Sequence, residues 1–368
     1  MEKAMYRYWL ANLENIGIKK IERLLEVFET AEEVYHASDE ELSALRRDGT
    51  FGGLIGDKEI TSILHKRDID QLKISYNKLI QNGIYFVTRE DSEYPEKLLN
   101  IYGAPYGLYV KGRLPAKENK LLAVVGAREC SPYGIEMAKY LAGAVAKEGI
   151  AIISGLARGI DSYAHQGALS CGGVSYAVLG CGIDICYPRE NINLYMEIQK
   201  EGGIISEYAP GIQPIAGNFP MRNRIISGLS DGILVIEAKE RSGSLITVDY
   251  GLEQGKDIYA LPGRATDRLS EGCNNLIKLG AKLVTSPKDI LEDVIPHFAD
   301  MTLKDNQNQI LHNESQERIY SCLNTDPKHI EEIGFLTRLP MDQLMEQLLV
   351  LELRGLIRQT LKNYYCRN

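Results

Sequence analysis

Nowhere in the 368 residues does an uninterrupted apolar stretch approach about 20 residues, the length a helix needs to cross a bilayer. The first segment, MEKAMYRYWLANLENIG, carries charges and asparagine throughout and lacks the apolar core of a secretory signal. Cysteine is odd in number, with no C-x-x-C pair and none at zinc-ligand spacing with a histidine. Cys130, Cys171, Cys181, Cys186, Cys273, Cys322 and Cys366 are therefore expected as reduced, small hydrophobic side chains. These absences lead us to expect a cytoplasmic protein without membrane attachment or bound metal.

Catalytic signatures are missing as well. Gly251 to Asp257 is one residue short of a phosphate loop, and Asp257 stands where a magnesium-binding Ser or Thr belongs. The loop opening at Gly126 does not read G-x-G-x-x-G, so a dinucleotide is not expected. No Ser-His-Asp elbow is expected, since the run Gly228 to Gly232 that reads G-x-S-x-G leads into an apolar strand-like run and does not follow one, and no carboxylate pair announces itself. The chain is expected to hold no cofactor and to carry out no catalysis. A formal net charge of −8 also argues against a uniformly basic surface, so any nucleic-acid site has to be a local basic patch.

With 44% hydrophobic and 25% charged residues, the composition is globular, and the length suits two or three domains. Residues 1–100 read as a small helical domain. Ile21, Leu24, Leu25, Phe28 and Val34 fall near helical spacing, after a turn at Glu14 to Ile18. That turn is either a helix-hairpin-helix phosphate cradle or a plain connector. Short apolar runs then alternate with helix-length segments: Leu121 to Val125, Ile150 to Ile153, Val174 to Leu179, Ile204 to Ser206, Ile233 to Ile236, Ile258 to Leu261, and Leu283 to Val284. This alternation predicts an α/β fold over residues 101–298: an extended Rossmann-like, doubly wound, mostly parallel sheet covered on both faces. Polar residues 299–316 read as a linker, and 317–368 as a winged-helix-like domain.

Ligands of such a sheet bind beyond the carboxyl ends of its strands. Glycine loops with arginine cluster there: Gly126 and Arg128 followed by Ser131; Gly155, Arg158 and Gly159 followed by Asp161; and Arg241 with Ser242, Gly243 and Ser244. Glycine allows close backbone approach, helix starts attract anions, and guanidinium forks match phosphate oxygens. Asp161 reads either as a helix cap or as a base, and His165 one turn later as a structural histidine. Phe219 followed by Arg222, Asn223 and Arg224 offers a ring for base stacking beside cations for the backbone. The alternative is a core phenylalanine with solvated arginines.

Six separated motifs, VVGAREC-SPYG, ISGLARGIDSYAHQGAL, AVLGCGIDICYP, FPMRNRIISGLSDGILVIEAKERSGSLIT, ALPG and GCNNLIKLGA, resemble those of the DprA/Smf family in order and spacing, from about residue 90 to 298. The resemblance implies a recombination mediator that binds single-stranded DNA in a basic pocket, forms a homodimer through the Rossmann-like domain, and acts with the RecA recombinase in recombination and transformation. A contact with single-strand-binding protein fits that role. By motif it carries over a phosphate contact to Arg128, within Gly126 to Arg128, and strand contacts to Phe219, Arg222, Asn223, Arg224, Ser242, Gly243 and Ser244. Ala127 replaces the family's usual serine. Gln213, Ile215 and Ala216 stand where many relatives carry a lysine.

Two rival functions remain at this point. Nucleotide phosphoribohydrolases share such a sheet, but Thr247 sits where their catalytic glutamate belongs. A sequence-specific regulator would read DNA with the tail, yet Met341 to Leu353 contains Asp342, Glu346 and Glu352 and no Lys or Arg. Arg354, Arg358, Lys362 and Arg367 follow it, open to backbone or protein contact.

Overall fold

Strands rich in Val, Ile and Leu along their whole length have no face to give to water, and they need cover on both sides. The computed structural model, which describes residues 2–47, 55–295, 314–324, 326–353 and 356–367, provides that cover. The chain divides into two units, Met1–Pro296 and His297–Asn368.

In the first unit the strands are β1 (Tyr85–Thr88), β2 (Gly107–Gly112), β3 (Leu121–Val125), β4 (Ala151–Ser154), β5 (Ser175–Leu179), β6 (Gly203–Ser206), β7 (Gly232–Val235), β8 (Asp257–Ala260) and β9 (Lys282–Leu283). Their order across the sheet is β1-β2-β6-β5-β4-β3-β7-β8-β9. Every neighbouring pair from β6 to β9 is parallel, while β2 runs antiparallel to both β6 and β1. The chain steps outward from β3 to β6, then crosses back to β7 on the other side of β3. The topological switch point therefore lies between β3 and β7, where successive loops part to opposite faces.

Helices fill the connections: α1 (Glu2–Ala11), α2 (Ile18–Phe28), α3 (Ala31–His36), α4 (Asp39–Arg47), α5 (Asp57–His65), α6 (Ile69–Gln81), α7 (Glu96–Leu99), α8 (Pro132–Lys147), α9 (Ile160–Ser170), α10 (Ile192–Glu201), α11 (Asn218–Leu229), α12 (Leu245–Glu253), α13 (Glu271–Lys278) and α14 (Lys288–Val294). Strand residues alternate between two cores, as the pleat requires. Tyr176 and Val178 pack with Ile225, Ile226 and Leu229 of α11, whereas Ala177 and Leu179 pack with Leu194 and Ile198 of α10.

Three expectations change. The helix read through Ile21 to Val34 is broken: Glu29 turns to φ 61°, and Thr30 starts α3 by accepting the Glu33 amide on its hydroxyl. The sheet begins at Tyr85, inside the zone read as helical, because β1 and β2 extend it at an antiparallel edge. The amino-terminal helices share one core with that edge, through Tyr6, Trp9, Phe86 and Tyr109. The expected linker at 299–316 lies outside the described residues except at its end, where helix Glu314–Cys322 has already begun.

The second unit follows with helix Ile330–Thr337, helix Met341–Leu353, and an antiparallel sheet of β10 (Lys328–His329), β11 (Ile357–Leu361) and β12 (Tyr364–Arg367). Ile319, Ile333, Leu344, Leu348 and Ile357 form its core. Three helices and a hairpin in this order make a winged helix. No helix among the described residues is long and apolar enough to cross a membrane.

Candidate nucleic-acid interface

The loops that leave β3, β4 and β7 are knitted together at the carboxyl edge. The Ala127 amide donates to the Glu237 carbonyl at 2.7 Å, and the Ala127 carbonyl accepts the Ile160 amide at 3.1 Å. Gly159 has φ 74°, and a β-carbon there would stand 2.2 Å from the Ala127 carbonyl oxygen, so only glycine fits. At Gly126 a β-carbon would meet Ile160 at 2.7 Å. Both glycines bring backbones together.

Ser131 was expected to face a ligand, and the structure uses it internally. Its hydroxyl caps α8 by accepting the Gly134 amide, and it donates to the buried Glu237 carboxylate, which also accepts the Ser131 amide at 2.9 Å. Glu237 thereby ties the loop after β7 to the start of α8.

A shallow pocket of about 40 Å³ gathers Arg128, Gly155, Ala157, Arg158, Tyr187, Pro188, Phe219 and Arg222. That volume is far too small to enclose a whole nucleotide, so the feature is an open shelf and not an enclosing pocket. Phe219 forms its centre. One side of the ring lies on Gly180, where a β-carbon would come within 2.8 Å of it. Tyr187 adds a second ring with centroids 5.6 Å apart and planes 34° from parallel. The Arg128 guanidinium sits 5.7 Å from the Phe219 centroid, is exposed, and has no carboxylate partner among the described residues. Arg158 is exposed too, but Glu190 grips it with two bonds of 2.7 and 2.9 Å.

Arg222 and Arg224 correct the sequence reading, which aimed both at a strand's backbone. Each is only 4% exposed. Arg222 donates from Nη1 to the Gly155 carbonyl at 2.8 Å and to the Val178 carbonyl. Gly155 has no side chain because the guanidinium occupies its place, 2.5 Å from where a β-carbon would be. Below lies Asp161, buried, its carboxylate accepting the Gly155 and Ala157 amides at 3.1 and 3.4 Å. Burial lowers the Arg222 pKa to about 10, against the pull of Asp161, so the cation persists at neutral pH. Burial raises the Asp161 pKa, with Arg222 opposing. His165 is driven down to about 3 by burial first and by Arg222 second, so it is neutral. This buried group underlies the shelf, and Asp161 is not the helix cap that the sequence suggested: Gly159 holds that position, and the Asp161 carboxylate instead holds the amides of the preceding loop. Arg224 gives Nη2 to both oxygens of Glu207 at 2.8 Å.

Ser242, Gly243 and Ser244 stand at the start of α12 and do not line the shelf. The two serine hydroxyls pair at 2.7 Å, and Asn223 Nδ2 reaches the Gly243 carbonyl at 3.5 Å. Tyr187 is the shelf residue that sequence reasoning missed; an aromatic just before Pro188, on a loop at the carboxyl edge, was its only signal. A larger cavity of about 630 Å³ lies by the amino end of β3, against Tyr94, Leu114 and Leu121. Its two lysines are already paired, Lys97 with Asp231 and Lys117 with Glu96, and it lies at the opposite end of the strands from the glycine loops.

Residues 85–295 match the family described as DNA recombination-mediator protein A, and residues 306–360 match the DprA winged helix domain. The chain belongs to the DNA recombination-mediator protein A family. The DNA processing protein DprA of Streptococcus pneumoniae is 47% identical over 203 residues, which is 55% of this chain and 72% of that protein. An X-ray structure of the S. pneumoniae DprA aligns with a TM-score of 0.66 at 35% identity, covering 80% of this chain and 98% of that one. A structure of DNA processing protein A from Helicobacter pylori, described for its single-stranded DNA binding mode, aligns with a TM-score of 0.51 at 29% identity, covering 60% of this chain and 96% of that one. In this DprA-family chain the shelf lies beyond the carboxyl ends of β3, β4 and β5, on the edge of the sheet at which ligands of open α/β folds bind.

Proposed function

We propose that this chain binds single-stranded DNA on the Phe219 shelf and mediates recombination by presenting the strand to a RecA-type recombinase, without catalysis of its own. The observation that carries the reading is the partly exposed Phe219 ring beside the exposed Arg128 guanidinium, which has no carboxylate partner among the described residues. A ring offers any unpaired base a stacking face, and the guanidinium offers its phosphate a fork. Duplex bases are already stacked and gain nothing there. The related H. pylori protein is described as binding single strands. Ser242 to Ser244 and Asn223 extend the site along α12, and a homodimer would hold one strand at two such edges, raising its grip through local concentration.

The test is a salt series comparing single strand with duplex. Single-strand affinity is expected to be higher and to fall steeply with salt, and Arg128→Ala to flatten that slope by about one ion. Equal affinity for duplex, or an unchanged slope in the folded variant, refutes the site. Recombinase filament assembly on strands coated by single-strand-binding protein tests the handover; no acceleration reduces the chain to a DNA-binding module.

A further inference from the structure

Winged helices that read duplex DNA lay the helix before the wing into the major groove with basic and polar side chains outward. Here the corresponding helix, Met341–Leu353, does the opposite. Its inner face holds Leu344, Leu348 and Leu351 in the core, while Met341, Met345 and Leu349, four residues apart, form an outward apolar stripe. Met345 is 59% exposed. The stripe continues onto the preceding helix: the Met341 methyl lies 3.9 Å from where a β-carbon at Gly334 would be, next to Phe335, which is 83% exposed. Exposed Asp342 and Glu346 lie on the same helix as the three stripe residues, and that helix carries no Lys or Arg. Such a surface repels phosphate and favours apolar protein contact.

The wing has the complementary character. Leu361 at its tip is 70% exposed and Tyr364 is also exposed, between exposed Arg358 and Lys362. Wing and helix are neighbours: the Gln359 amide donates to the Glu352 carboxylate at 3.2 Å. One unit thus displays, side by side, an apolar stripe edged with acid and an apolar tip edged with base.

We propose that this unit is a self-docking module, in which the stripe of one copy receives the wing of a second copy and the reverse contact forms at the same time. Two adjacent, mutually complementary patches are the requirement for a closed two-fold pair, because residue i meets j while j meets i. Glu346 and Asp342 then face Arg358 and Lys362 across the pair, around a centre of Met345, Leu349 and Leu361. This contact is separate from the single-strand shelf and does not depend on it.

Charge reversal in the full-length chain tests the proposal. Glu346→Lys and Lys362→Glu each place like charges opposite one another and are expected to weaken about tenfold the association that this contact adds to any pairing through the Rossmann-like domain, read in sedimentation equilibrium against the parent chain. Mixing the two variants restores opposite charges at both contacts and is expected to restore association. In a mixture of unlabelled and ¹⁵N-labelled chains, a zero-length carbodiimide is expected to join Glu346 or Asp342 to Lys362 in hybrid peptides. Unchanged association in both variants, no recovery on mixing, or only unmixed cross-links overturns the proposal. So does a Lys362→Glu chain that loses duplex affinity while associating normally, since the wing would then be a nucleic-acid contact.

Discussion

Replacing Arg222 by methionine removes the cation from beneath the shelf while keeping most of the side chain's length. The buried Asp161 carboxylate keeps the Gly155 and Ala157 amides and Ser154 but loses the nearby cation, and the carbonyls of Gly155 and Val178 each lose a donor. A hydrogen bond from a charged group is worth about 1.5–3 kcal/mol, so the two that Arg222 gives to the Gly155 and Val178 carbonyls are together worth about 3–6 kcal/mol. For a unit of this size that corresponds to a fall in melting temperature on the order of 10 °C. Asp161→Asn in the same chain should recover part of the loss, since the stranded charge is gone. The assay pairs a circular-dichroism melt with single-strand binding measured well below the melting point. Folded Arg222→Met should still bind, weakened only as far as the shelf floor shifts. A variant that melts like the parent but no longer binds strands would refute the reasoning and make Arg222 a direct contact.

Three further outcomes follow from the same geometry. Phe219→Ala should lower single-strand affinity by about 1–3 kcal/mol, and Phe219→Trp should retain it, in an anisotropy titration; equal affinity for all three excludes a stacking platform. Glu190→Gln releases Arg158 from its pair, so single-strand binding should tighten at low salt and its salt dependence steepen by about one ion; an unchanged slope means that Arg158 does not reach the strand. Neutral His165 ionises near 3 when folded against 6.5 unfolded, so the unfolded state takes up the proton first as pH falls. Its contribution is complete above 6.5 and is lost toward 3, about 2 kcal/mol by pH 5. Denaturant titrations from pH 7 to 4 should show a flatter decline for His165→Gln, and parallel curves would contradict the assignment.

What could be read without coordinates follows from burial. A strand covered on both faces must be apolar throughout, so β3 to β9 stood out within a residue or two of their observed ends. Edge strands have no such obligation. Tyr85–Thr88 and Gly107–Gly112 are short and flanked by helical or turn residues, and only pairing across the sheet reveals them. Likewise, apolar spacing carried a helix straight through Glu29 and Thr30, because the left-handed turn there leaves no trace in hydrophobic period.

The carboxyl-edge glycine loops, Arg128 and Phe219 belong to what the sequence by itself determined: a strand's end and the residues just beyond it are local properties, and the sheet's handedness places them together. The destination of each arginine belongs to tertiary structure. Arg128, Arg158, Arg222 and Arg224 look alike in the chain, yet one is exposed with no carboxylate partner among the described residues, one is held by Glu190, and two are buried. Arg222 turns inward because Gly155, 67 residues away, leaves room and Asp161 supplies a counter-charge. Cations follow the lowest desolvation cost available, and that cost is set by partners that only folding brings near.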